Sequence, residues 1–183
     1  MTAPVTAPVP APVTAVVCGN PRPGSRTLHA GLHVARELAG AEPDLVVDLA
    51  TVGPGVLDWS DTEVTHLVAR VAAADLVVVA SPTYKATYSG LLKVFLDRFA
   101  PQAGTGLGGV AVAVMVGAGT HHALAAELAL RPLLTEIGAT VPVPGLFVPE
   151  QEHDDPAAYD GWLAAARPVV ARLLPHTATG VPA

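Results

Sequence analysis

The chain has 183 residues, of which 51% are hydrophobic and 14% charged, and its formal net charge is −6. That length accommodates one domain with a substantial core. The negative charge and the lack of a basic stripe with interleaved aromatics argue against a nucleic-acid surface, and no apolar run approaches the roughly 20 residues that span a bilayer.

Met1–Pro12 repeats Ala-Pro-Val units and lacks the charged and apolar regions of a secretory leader. It is expected to be a disordered tail on a cytoplasmic protein, followed by one domain over residues 13–175 and a frayed tail over 176–183. Thr14–Cys18 is a short β-branched run and predicts a central strand. Cys18, the only cysteine, excludes an internal disulfide and reads as a small buried hydrophobe. Leu28, Leu32, Ala35 and Leu38 then recur at helical spacing up to Gly40. On that helix His29 and His33 fall beside the apolar stripe, which places them on a solvated face.

Leu45–Leu49 predicts a second strand and residues 53–60 a loop. Asp61 or Thr62 caps a helix with Val64, Leu67, Val68 and Val71 inward. Asp75–Ala80 is apolar without alternation, as expected of a parallel strand covered on both faces. A helix follows through Leu91, Leu92, Phe95, Leu96 and Phe99, carrying an ordinary Lys93–Asp97 surface pair. Val110–Val116 is the next strand, and after it a helix buries Leu124, Leu128 and, past a kink at Pro132, Ile137. Thr140–Val143 supplies a last short strand, with Leu146–Val148 extending or flanking it. A final helix starts at Asp155-Pro156 and runs to about Leu174.

Strands alternating with helices at this spacing predict an α/β fold: a doubly wound five-stranded parallel sheet, order 2-1-3-4-5, with helices on both faces. Ligands of such sheets bind beyond the C-terminal strand ends, where the strand order reverses. Three unusual loops leave predicted strands at that end, starting at residues 19, 81 and 117. In the first, Asn20, Arg22, Ser25, Arg26 and Thr27 bring amide, guanidinium and hydroxyl donors to the opening turn of a helix, where unpaired backbone N–H groups favour an anion. Taken alone this stretch also fits an ordinary strand-to-helix turn; the other two loops favour the anion site.

The spacing of a dinucleotide fingerprint is absent from the first turn, and neither a P-loop Gly-Lys-Ser/Thr nor a hydrolase G-x-S-x-G is present. Pro82 and Tyr84 offer rigid and planar apolar contact, and backbone groups around Thr83–Lys85 and Gly117–Thr120 can bond the edge of a heterocycle. Flavin mononucleotide (FMN) has the matching shape, with one terminal phosphate and a flat ring.

The stretch Gly19–Thr27 resembles the G-S-x-R-x-G-S-x-N phosphate loop of NAD(P)H-dependent FMN reductases, with Asn20 in place of the usual Ser and Thr27 in place of Asn. Ser81–Lys93 is similar to their P-x-Y flavin loop and the helix after it. Residues 122–134 further resemble the branch that supplies reduced flavin to two-component monooxygenases of the alkanesulfonate type. The resemblance implies a flavodoxin-like fold, with Asn20, Arg22, Ser25, Arg26 and Thr27 on the phosphate. Pro82, Thr83, Tyr84 and Lys85 with Gly117, Gly119 and Thr120 would frame the ring. It also implies NADPH or NADH as hydride donor and a flavin-dependent monooxygenase as partner; the modest charge and the apolar helix at Leu91–Phe99 favour a homodimer or homotetramer. Some members carry a π-bulge at the start of the helix after the second loop, where Tyr88 stands; a core or groove aromatic is the other reading of Tyr88. Hydride transfer between nicotinamide and flavin needs no side-chain acid, base or nucleophile. Two other functions fit the same site: an FMN-bound quinone or azo reductase, and a flavodoxin-like electron carrier without nicotinamide activity.

Overall fold

A computed structural model describes residues 11–175 of the chain. Most of Met1–Pro12 and all of 176–183, the two stretches expected to be tails, lie outside the described residues. Five strands, β1 (Thr14–Cys18), β2 (Leu45–Asp48), β3 (Leu76–Pro82), β4 (Val110–Gly117) and β5 (Leu146–Pro149), form one sheet in the order β2-β1-β3-β4-β5. Every neighbouring pair is parallel, with Val16 opposite Val46 and Val78, and Val78 opposite Val112.

Alternate residues of these strands feed two cores. On one face Ala15, Val17, Val77, Val79, Ala113 and Met115 pack under α3 (Thr62–Ala72), α4 (Gly90–Leu96) and α5 (Arg131–Glu136). On the other, Val16, Val78, Ala80, Val112 and Val114 meet α1 (Arg26–Ala39) and α6 (Ala157–Ala171). Both faces of the sheet are therefore dry, which explains why its strands read as unbroken apolar runs.

The helix ends follow from local chemistry. Ser25 caps α1 by accepting the Leu28 N–H, and Gly40 closes it in the left-handed region at φ 70°. Asp61 caps α3 and Ser89 caps α4 in the same way.

Three expectations fail, each for a local reason. The second strand stops one residue short at Asp48, because its carboxylate caps a one-turn helix, α2 (Leu49–Val52). Residues 140–143 are not a strand: Thr140 makes only an isolated parallel bridge to Val110, and Pro142 and Pro144 remove the donors a ladder needs. Leu124 and Leu128 are not buried but 65% and 70% exposed.

The third failure has a clear origin. Ala126–Leu130 is a π turn in which the Arg131 N–H donates to the Ala126 carbonyl, five residues back. Pro132 cannot continue an α-helical ladder, and the extra residue in the turn absorbs the mismatch. The added residue also rotates the face, so Ala125, Ala126, Leu130 and Leu134 point inward and Leu124 and Leu128 outward. The π turn thus lies before Pro132. Tyr88 instead precedes an ordinary α-helix and packs half-buried against the core.

Candidate functional site

The loop after β1 is shaped by its own side chains. Gly19 donates to the Ala80 carbonyl at 2.8 Å, and a Cβ at this position would lie 2.4 Å from that of Leu92, so only glycine fits beneath α4. Asn20 is 8% exposed; its amide nitrogen donates to Thr27 Oγ1 at 3.0 Å and its amide oxygen accepts the Arg22 N–H at 3.0 Å. Gly24, at φ 60°, turns its N–H onto Asp48 Oδ2 at 3.0 Å. Ser25 then caps α1, leaving the N–H groups of Arg26 and Thr27 ahead of the first intrahelical bond.

The five residues expected to hold phosphate thus divide into two kinds. Asn20, Ser25 and Thr27 are committed to one another or to the loop backbone, and they fix its shape. Arg22 and Arg26 are exposed, and Arg26 Nη1 lies 3.5 Å from Glu150 Oε2.

The second loop is braced against the first. Ser89 donates to the Gly19 carbonyl and accepts the Leu92 N–H, while its own N–H goes to Ser81 Oγ at 3.0 Å. Tyr84 and Thr87 exchange backbone hydrogen bonds across a two-residue turn in which Lys85 and Ala86 both have positive φ, 52° and 68°. That turn thrusts Tyr84 outward, 47% exposed. The third loop approaches closely: a Cβ on Gly117 would lie 2.9 Å from the Phe147 ring and 3.2 Å from Thr83 Cβ.

All three loops meet in one cleft of about 590 Å³. Asn20, Arg22, Ser25, Arg26, Thr27, Pro82, Thr83, Tyr84 and Gly117 line it, together with Gly24, Ala118 and Glu150. Lys85, Gly119 and Thr120 are not part of its wall. Lys85 sits at the exposed turn beyond Tyr84, and Thr120 opens an exposed 3₁₀ turn, Thr120–His122.

The cleft matches the chemistry of a flavin phosphoester. Its lining brings together the Arg22 and Arg26 guanidinium groups, the start of α1 and the exposed ring of Tyr84. Thr83, in the same wall, has its Oγ1 buried without a hydrogen-bond partner among the described residues, a polar atom still to be satisfied.

Sequence reasoning missed Asp48, Ser89 and Glu150. Asp48 and Ser89 act on the loops from other elements, and Glu150 reaches the cleft from the end of β5. Strand alternation and capping patterns give no sign of such long-range bonds, although Ser89 is recognisable as a helix cap.

Near the cleft, Cys18 is fully buried; burial pushes its thiol pKa up, opposed in part by hydrogen bonding to Asn20 and Ser25. His29 is exposed, as its helical position predicts. His33 is not on a solvated face: it is half-buried, with its ring 4.4 Å from that of Tyr159 on α6.

The NADPH-dependent FMN reductase family model matches residues 13–154. An FMN reductase (NADPH) of Pseudomonas aeruginosa is 31% identical over 168 residues, covering 87% of this chain and 84% of that protein. Enzymes of the same name from Pseudomonas putida and Escherichia coli are 33% and 37% identical over 51% and 47% of this chain; those matches span about half of each relative, 47% and 44%. Among solved structures, the apo form of the NADH:FMN oxidoreductase EMOB superposes with a TM-score of 0.75 at 25% identity, covering 88% of this chain and 90% of that one. An oxidoreductase from Corynebacterium diphtheriae superposes with a TM-score of 0.70 at 23% identity, covering 90% and 98%. By the extent of these matches, the chain belongs to the NADPH-dependent FMN reductase family.

Proposed function

We propose that the protein reduces FMN with NADPH, taking the flavin phosphate at the 19–27 loop and the ring between the loops at 82–85 and 117–120. The observation that carries this reading is the convergence, in one cleft, of Arg22, Arg26, the start of α1 and the open ring of Tyr84. When bound, FMN accepts a hydride from the nicotinamide, and the two cofactors supply that chemistry between them.

The chain's part is placement. Asn20, Ser25 and Thr27 hold the loop so that its backbone N–H groups face the phosphate, and Arg22 and Arg26 close over it. Pro82, Thr83 and Gly117 form a stiff wall for the ring, and Tyr84 gives one side of it a flat surface. Lys85, Gly119 and Thr120 lie outside the wall of the cleft and are assigned no contact with the ring. Holding the two rings stacked converts an encounter into a near-attack geometry, an effect worth several kcal/mol.

The reading extends to a partner and an assembly. Residues 122–134 resemble the branch that hands reduced flavin to a two-component monooxygenase, and that is the acceptor we assign. The exposed Leu124 and Leu128 favour a homodimer or homotetramer. No helix of the described residues is long and apolar enough to cross a membrane.

The test is the absorbance of the nicotinamide band on mixing protein, NADPH and FMN. Consumption that requires added FMN and saturates with it supports the reading. NADPH that persists in the presence of FMN contradicts it.

A further inference from the structure

We infer that Glu150 is a built-in competitor for the phosphate-binding arginine and sets how tightly FMN is held, keeping the flavin exchangeable. The inference rests on the reading that the 19–27 loop receives the phosphate. Glu150 follows directly on β5 and lines the same cleft as Arg22 and Arg26. Its Oε2 lies 3.5 Å from Arg26 Nη1, and the two side chains are 39% and 57% exposed.

The Asp48 carboxylate already takes the Gly24 N–H behind the loop, while Arg22, Arg26 and the open N–H groups at the start of α1 favour an anion. Among the described residues, Glu150 is the one carboxylate that lines the cleft. Among the described residues its carboxylate pairs only with Arg26, and the residue's other contact is made by its main-chain carbonyl, which accepts from His153 Nδ1 at 3.0 Å. A phosphate monoester carries a charge between −1.5 and −2 near neutral pH, by general chemistry. To bind it, the Arg26 guanidinium must leave Glu150 or be shared with it, and the carboxylate charge stays in the cleft beside the phosphate. Both effects weaken the complex with FMN and neither touches riboflavin, which lacks the phosphate. A flavin held in this way exchanges with solvent rather than staying as a resident group.

The experiment measures dissociation constants of FMN and of riboflavin, by quenching of flavin fluorescence, for the wild type, Glu150→Gln, Arg26→Ala and the double variant. Glu150→Gln should tighten FMN about tenfold and leave riboflavin unchanged. In the Arg26→Ala background the gain should fall to less than about threefold, since the contested group is gone. An unchanged or weaker affinity for FMN in Glu150→Gln, while the wild type still prefers FMN to riboflavin, overturns the inference alone. A wild type that binds the two flavins equally overturns the phosphate-site reading and the inference with it. Thermal melting of each variant separates either result from a loss of fold.

Discussion

Asp48 Oδ2 accepts the Gly24 N–H at 3.0 Å, joining the end of β2 to the tip of the 19–27 loop. Its other oxygen accepts the Ala50 N–H at 3.3 Å, and its main-chain carbonyl accepts from Thr51 Oγ1 at 2.8 Å. One carboxylate therefore caps a helix and holds the loop's left-handed glycine. An asparagine here would meet one of the two N–H groups with its own NH₂. Asp48→Asn is expected to destabilise the protein by about 1–2 kcal/mol, read as a lower urea midpoint at unchanged slope, and to weaken FMN binding.

Lys85 and Ala86 occupy the left-handed region without glycine or asparagine. That conformation costs an L-residue about 1–2 kcal/mol, while glycine loses an extra 0.5–1 kcal/mol or so of chain entropy on folding. Ala86→Gly should therefore gain about 0.5–1 kcal/mol and raise the melting temperature by a few degrees in calorimetry. Ala86→Val, β-branched at positive φ, should lower it.

The two-residue turn was legible in the sequence as a loop, but its geometry was not. Lys85-Ala86 carries none of the residues that announce positive φ, and the backbone pairing of Tyr84 with Thr87 imposes it. The contrast with the first loop is instructive. There, Gly24 and Ser25 each have local physical meaning, and the turn and the start of α1 follow from them. Strand order and both sheet faces were equally readable, because a doubly covered parallel strand leaves an unbroken apolar run. The face of the 124–137 segment was misread since one extra residue in the π turn changes which leucines face inward, and the cue for it, Pro132, suggests a kink without saying how the ladder compensates. Asp48 and Glu150 were invisible as site residues because they act from other strands.

Tyr159 supplies a pH dependence. Burial, and secondarily the charge of Asp154, push its phenol up to about 12 from an ordinary 10.0. Below the ordinary value the phenol is protonated in folded and unfolded chains alike and the folded state keeps its full advantage. Above it the unfolded chain ionises first, so stability falls as pH rises through the folded value of about 12. Discounted for solvent screening at the partly buried hydroxyl, the loss amounts to about 1–2 kcal/mol. Denaturant titrations across this alkaline range should show that slope, and Tyr159→Phe should flatten it. That variant also loses the hydrogen bond from the Tyr159 hydroxyl to the His153 carbonyl at 2.7 Å, at a cost of about 1 kcal/mol at neutral pH.

The outward leucines of the π turn make the assembly testable. Leu124→Lys with Leu128→Lys touches nothing in the core, so melting of the isolated chain should change by less than about 0.5 kcal/mol. Sedimentation equilibrium should show the wild type as a dimer or tetramer and the variant at a lower mass. A wild type already at the mass of one chain, or a variant with unchanged mass, contradicts the assignment of this surface.

The most direct measurement is a crystal structure of the protein with FMN. Phosphate density is expected within hydrogen-bonding distance of the Arg26 and Thr27 N–H groups at the start of α1, with the ring lying between Tyr84 and Gly117. Flavin density on another face of the sheet, or a phosphate turned away from the 19–27 loop, would contradict it.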